Sequence, residues 1–105
     1  MSGAIANVPT AHASKYLQQL CKHWQHNLAV EFTPEHGTVT FPGDARGATW
    51  AGDALVTFDA GADMLSVRID ASGDDHVEAM KGVVARHLDR FAFREAPLRF
   101  DWSAT

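Results

Sequence analysis

The sequence predicts an α+β domain, a two-layer sandwich in which an antiparallel β-sheet carries two helices on one face. Three observations lead there. Apolar residues recur at helical spacing in two separate segments, Leu17 to Trp24 and Val77 to Phe91. Between these segments, short runs alternate apolar with polar residues and are divided by Gly, Pro and Asp turns. Two amphipathic helices must bury their stripes, and one sheet face accommodates both.

The elements follow in chain order. "GAIANV" (Gly3 to Val8) reads as a short first strand closed by Pro9. Thr10 or Ser14 is placed to cap the first helix. Leu17, Leu20, Cys21 and Trp24 form its buried stripe, and Asn27 marks its end. "LAVEF" (Leu28 to Phe32) puts Leu28, Val30 and Phe32 on one face, and "GTVTFPG" (Gly37 to Gly43) does the same for Val39 and Phe41. Three further strands are expected at Ala48 to Trp50, Leu55 to Asp59 and Leu65 to Asp70. The last of these turns Leu65, Val67 and Ile69 inward. Short turns make these strands a meander. Asp75 is expected to cap the second helix, with Glu78 in capping-box position. Its stripe is Val77, Met80, Val84, Leu88 and Phe91. After Pro97, "LRFDW" (Leu98 to Trp102) reads as a final strand. The order is strand, helix, strands, helix, strand.

Composition narrows the function classes. The chain has 105 residues, so residues 1–105 are read as a single domain. A formal charge of −4 opposes bulk electrostatic binding to nucleic acid. The single cysteine has no intrachain partner for a disulfide, which fits a reducing compartment. "AHA" (Ala11 to Ala13) has the small residues of a signal cleavage site but no preceding basic and apolar regions. No apolar run is long enough to span a bilayer. A cytoplasmic location without membrane association is expected.

Two stretches carry candidate chemistry. In "CKHWQH" (Cys21 to His26), helix geometry sets Cys21 and His23 about 160° apart, so they do not chelate one ion. Cys21 falls in the apolar stripe and reads as a small buried hydrophobe. His23 and His26 lie about 60° apart on the helix, a spacing that allows two imidazoles on one metal. A third ligand would come from elsewhere in the chain, with His87, His12 and Glu31 as candidates, and His23, His26 and His87 are taken as the metal candidates, with iron or zinc as the divalent ion. The ordinary alternative is a pair of solvated or hydrogen-bonded imidazoles. In "RHLDRFAFRE" (Arg86 to Glu95), Arg86, Arg90 and Arg94 recur every four residues beside the Leu88 stripe. A row of guanidinium groups suits a carboxylate or phosphate. The alternative is a solvated ridge paired with Asp89 and Glu95. No phosphate-cradling glycine loop, serine elbow or calcium-loop spacing is present.

At "SKYLQQLCKHWQH" and "ARHLDRFAFRE" the chain resembles a bacterial family, domain of unknown function 2218. The resemblance spans nearly the whole chain. It rests on Tyr16-Leu17, Leu20-Cys21 and His23 in the first helix, and on His87-Leu88, Arg90-Phe91 and Phe93-Arg94-Glu95 in the second. Phe41-Pro42 fits the middle of the pattern. It implies a fold similar to the TATA-binding-protein-like fold, which does not itself imply DNA binding. Some members stand beside, or are joined to, siderophore-interacting proteins, which implies a setting in iron or siderophore metabolism. The chain departs from the pattern at "PGDARGATW" (Pro42 to Trp50), where a glycine-rich polar piece replaces a more apolar strand start.

These readings lead to one expectation and two rivals. The expectation is a non-enzymatic ligand- or partner-binding domain, whose partner is an anionic small molecule or a siderophore-interacting protein. His23, His87, Arg90 and Arg94 are the expected contacts. His23 on the flank of its stripe and His87 on the edge of its own are expected to meet in the groove between the helices. The rivals are a small enzyme with a histidine general base and a homodimer that buries aromatic surface around Trp50 and Trp102.

Overall fold

Alternating side chains make the strands of this chain, and one face of each inner strand is dry. Val39, Val56, Phe58, Leu65, Val67 and Ile69 have no solvent exposure, while their neighbours along each strand point to the opposite, wetter face. The computed structural model describes residues 2–44 and 49–105. Its elements are β1 (Ser2–Pro9), α1 (Ala13–Trp24), β2 (Ala29–Phe32), β3 (His36–Phe41), β4 (Ala54–Ala60), β5 (Met64–Ala71), α2 (Asp74–Phe91) and β6 (Ser103–Ala104). The strands form one sheet of six, in the order β2-β3-β4-β5-β1-β6, antiparallel at every pairing. Both helices pack on one face, so the α+β two-layer sandwich is as expected.

Register aligns the core in rows. Val39 faces Val56, Val56 faces Ile69, and Ile69 faces Ala4. The next row joins Phe58, Val67 and Ala6. Leu17, Leu20, Cys21 and Trp24 from α1 and Val77, Met80, Val84 and Leu88 from α2 close over these rows. Burying each large side chain contributes roughly 1.5–3 kcal/mol of transfer free energy. Gly37 on β3 is what lets α1 come so close, because a Cβ there would stand 2.9 Å from Cys21 Sγ.

The helix starts differ from the expectation. Neither helix has a side-chain cap: His12 precedes α1 and Gly73 precedes α2. Thr10 instead accepts the His12 N–H at 3.1 Å and spends its own hydroxyl on Glu95. Ser14 lies inside α1 and donates to the Pro34 carbonyl. Asp74 and Asp75 both fall within the first turn of α2, where their charge favours the positive end of the helix dipole without capping it.

Two expected strands are absent. Thr49 and Trp50 are not in a strand, and Ala48 lies outside the described residues. The Trp50 N–H donates to the Gly43 carbonyl at 2.9 Å, and the Gly43 N–H donates to Asp53, which closes the neck of a loop rather than a ladder. A Cβ on Gly43 would stand 2.6 Å from the Gly52 oxygen, so this neck requires glycine. Leu98 to Trp102 is not in a strand, and the last strand is only Ser103–Ala104, set against Ile5 and Ala4. The alternation is real, since Leu98, Phe100 and Trp102 all pack on the core. Their neighbour is a helix, however. The Leu98 N–H donates to Asp89 at 3.0 Å, and Lys81 lies 5.7 Å from the Trp102 ring. As the chain advances from Leu98 to Trp102 its neighbours step back from Asp89 to Lys81, so the segment runs antiparallel to α2.

Candidate functional site

Where α1 ends, the chain places His23 and Trp24 side by side at the seam with α2. Trp24 is the largest side chain of the α1 stripe, and its ring is wedged among aromatics. It meets Phe41 edge-on at 5.2 Å and stacks over Phe58 at 6.2 Å. His87 of α2 approaches the same indole to 5.2 Å. His23 and His87 stand 5.5 Å apart, centroid to centroid, and Phe91 meets His23 edge-on at 5.6 Å. The two edge histidines thus do meet between the helices. His87 Nδ1 is 2.7 Å from the Val83 carbonyl, one turn back in its own helix, so it acts as the donor and leaves Nε2 without that proton.

Beside this seam lies a cleft of about 700 Å³, within the size range of small-molecule sites. His23 and Trp24 of α1 form one wall, continued by Asn27 and Leu28. Phe41, Pro42 and Asp44 at the end of β3 form its floor and rim. His76, Ala79, Met80 and Val83 of α2 form the opposite wall, and Trp50 closes it from the β3–β4 connection. The lining is mostly apolar and aromatic with a few polar groups, which is the composition of ligand pockets.

His76 is the polar centre of that second wall, and it was not a candidate on sequence. Only 2% of it is exposed. Its ring stacks on Trp50, centroid to centroid 4.5 Å with 6° between the planes, so each ring covers a face of the other. The Ser72 N–H and hydroxyl lie 3.3 and 2.8 Å from Nδ1. A backbone N–H only donates, so Nδ1 is the acceptor and the neutral ring carries its proton on Nε2. Burial pushes this imidazole below its usual range, with the Asp53 carboxylate partly opposing. Across the cleft, Trp24 is 3% exposed and its Nε1 has no hydrogen-bond partner among the described residues. A buried donor left unpaired costs about 1–3 kcal/mol.

The other expected residues do not join this arrangement. His26 lies exposed in the turn after α1. Among the described residues no group of three His, Cys, Asp or Glu gathers as metal ligands, so His23, His26 and His87 are not assembled into a metal centre. The arginine ridge breaks where α2 ends at Phe91. Arg90 is exposed in the last turn, while Arg94 lies beyond the helix against the Phe93 ring at 5.7 Å. Neither lines the cleft. Cys21 is fully buried as its stripe position predicts, and burial pushes its thiol up to about 11.

A second polar group escaped the sequence reading of function. Glu95, just past α2, accepts from both the Tyr16 and Thr10 hydroxyls, the latter at 3.0 and 3.1 Å to its two oxygens. The Tyr16 hydrogen bond holds the Glu95 carboxyl below its usual range, against the opposing effect of burial. Burial and Glu95 together push Tyr16 up to about 12. This clamp ties the start of α1 to the end of α2. It sets the seam from which His23 and His87 project.

The geometry now stands beside known proteins. A family model described as "Uncharacterized protein conserved in bacteria (DUF2218)" matches residues 5–103. The NMR structure of PA4090 from Pseudomonas aeruginosa is similar throughout, with 31% sequence identity and a TM-score of 0.74. That similarity covers 98% of this chain and 96% of that one. No curated protein matches. No helix among the described residues is long and apolar enough to cross a membrane.

Proposed function

The chain belongs to the DUF2218 family of uncharacterised bacterial proteins, and on that premise we propose that it is a non-enzymatic domain that binds a small molecule in the cleft between its two helices. One observation carries this reading. The fold leaves about 700 Å³ open beside its core and lines that space with Trp24, Phe41, Trp50 and His76. His23 and His87 contribute through the seam rather than as metal ligands. His23 lines the cleft, and His87 packs behind it against Trp24. Binding without chemistry is supported by the states of the reactive groups. The acceptor nitrogen of His76 is already occupied by Ser72, and Cys21 is sealed beneath α1. A dimer built on Trp50 and Trp102 gains less support, because Trp50 stacks on His76 and Trp102 on Phe100 within the chain.

The proposed setting is the cytoplasm, in iron or siderophore metabolism, with a siderophore-interacting protein as the partner to which the bound molecule passes. It rests on the family resemblance alone. The test is native mass spectrometry of the protein purified from iron-starved and iron-replete cells, beside the cleft-filling variant Ala79→Trp. A bound small molecule on the wild type, at least tenfold depleted in Ala79→Trp, is the expected result. Equal loading of both proteins would overturn the cleft as the site. Loading that ignores iron supply would overturn the setting while leaving the site intact.

A further inference from the structure

Charge is distributed unevenly around the cleft. This inference rests on the cleft being the binding site and adds the charge class of the molecule it takes. None of the described Lys or Arg side chains lines the cleft. The arginine ridge that suggested an anionic guest has no counterpart here, since Arg90 and Arg94 both lie outside the lining. His76 supplies no cation either, because its Nδ1 accepts the Ser72 N–H and the ring in this arrangement is neutral. Apart from the two imidazoles, the ionisable side chain among the described lining residues is Asp44, exposed just past the end of β3. A second carboxylate stands behind that rim. Asp53 accepts the Gly43 N–H at 3.0 Å, which sets it against the link between the lining residues Pro42 and Asp44. Its charge also acts on His76 in the α2 wall. Neither Asp44 nor Asp53 has an ion-pair partner among the described residues. The mouth of an apolar space is therefore negative, and no described side chain in its walls offsets a negative guest.

We propose that the cleft takes an apolar molecule carrying an amine cation, with its apolar body against Leu28, Met80 and Val83 and its charge at the mouth beside Asp44 and Asp53. The apolar body follows from the lining, and the sign of the charge from the two unpaired carboxylates. An anion entering here would leave water without gaining an opposite charge, which is the costly way to bury one. A neutral molecule of the same shape would fit but would gain nothing from the carboxylates. The amine stays at a wet mouth and keeps much of its hydration, so the attraction has the modest size of an exposed ion pair. The formal charge of −4 on the whole chain adds a field of the same sign.

Three probes built on one adamantane cage test it by NMR titration of the full chain. The titration is run at about pH 8, above the ordinary imidazole range, so that neither lining histidine supplies a cation. 1-Adamantylmethylamine is positive, 1-adamantylmethanol is neutral and 1-adamantanecarboxylate is negative. The amine is expected to bind about fivefold more tightly than the alcohol, and the carboxylate about fivefold more weakly than the alcohol, the upper scale of an exposed ion pair. Asp44→Asn combined with Asp53→Asn should bring amine and alcohol within about twofold of each other. The second substitution keeps an oxygen to accept the Gly43 N–H. If the double variant does not fold, about 0.5 M salt on the wild type gives the same answer, because screening at the mouth should shrink the amine's lead. Ala79→Trp separates the two readings. If it blocks all three probes while the amine shows no lead, the cleft stands as the site and the charge class falls. If it blocks none, the site itself falls. Binding of the carboxylate as tight as that of the amine would overturn the proposal, as would no binding by any probe. Equal binding of amine and alcohol would overturn it too, and that is the result expected if Arg46, outside the described residues, neutralised Asp44.

Discussion

His76 and Trp50 stack in nearly parallel planes with their ring centroids 4.5 Å apart, one from the first turn of α2 and the other from the β3–β4 connection. The imidazole in that pair is neutral by construction. Its Nδ1 accepts a backbone N–H, and burial disfavours the cation. Protonating Nδ1 would set two donors against each other.

This arrangement makes stability depend on pH in a defined direction. The unfolded chain takes up a proton at His76 near 6.5, and the native state does so only at lower pH. In that interval the unfolded state binds more protons, so stability falls as pH drops through 6.5, and levels off once the native ring is also charged. One group contributes at most about 1.4 kcal/mol per pH unit. Urea unfolding at pH 8, 7, 6 and 5.5 is the measurement. His76→Phe, which keeps a flat ring without a titrating nitrogen, should flatten the curve over this range. An unchanged slope would show that other histidines dominate it.

The Glu95 clamp predicts a second loss of stability, further into acid. Its carboxyl sits below the usual 4.5 because the Tyr16 hydroxyl donates to the charged form. The stabilisation is therefore fully present above pH 4.5 and is lost as pH falls through the lower native value. Glu95→Gln and Tyr16→Phe should each cost about 1–2 kcal/mol at neutral pH, the scale of hydrogen bonds to a charged group at a partly exposed site. The double variant should cost less than the sum of the two single ones, since one removes the donor and the other the acceptor's charge at the same contact. Additive losses would mean that the two residues act separately.

Cys21 should be inert in the native protein. With its thiol pushed up to about 11 and no exposed surface, almost no thiolate is present at neutral pH to react. A colourimetric disulfide reagent should label it only as fast as the chain unfolds, and at once in denaturant. Cys21→Ala should cost about 1–2 kcal/mol through lost packing under α1. Stoichiometric labelling within seconds of mixing would contradict the burial.

The parts of the fold that the sequence disclosed are those where one periodicity and one neighbour go together. Alternation in β4 and β5 and the helical stripes of α1 and α2 each place residues against the same core, so pattern and partner agree. Leu98 to Trp102 alternates equally well, yet its neighbour is α2, and alternation does not say what lies alongside. Trp50 is harder still. Its place depends on the neck at Gly43 and on a stacking partner 26 positions away, neither of which leaves a local signal. His76 did leave one. It precedes Met80 by four and Val83 by seven, the spacing of a buried stripe, but the neighbouring Asp75 and Glu78 drew the segment into a capping motif. The meeting of His23 and His87 was accessible because both helices had to share one sheet face. The breaking of the arginine ridge depended on where α2 stops, and helix ends are the least certain feature of a periodic pattern.

Duplex DNA should bind weakly or not at all at physiological salt, and the reason is now local as well as global. The chain carries 9 Lys and Arg against 13 Asp and Glu. Several of those cations already face carboxylates: Lys81 with Glu78 at 2.6 Å, Arg68 with Asp70 at 3.1 Å, and Arg99 with Asp101 at 3.0 Å. Among the described residues the remaining basic side chains do not continue along one helix, because α2 carries Arg86 and Arg90 but ends at Phe91, before Arg94. Affinity for duplex comes largely from neutralising several phosphates at once, with the release of their counterions. An acidic surface with dispersed, pre-paired cations offers few such contacts. Fluorescence anisotropy with a labelled random duplex should show no binding tighter than about 1 µM at 150 mM salt. At 20 mM salt it should show at most a shallow rise, with a log–log slope near −1 or flatter. Sub-micromolar binding with a steep salt slope would mean that a cationic surface exists which the pairings on α2, β5 and the C-terminal segment do not reveal.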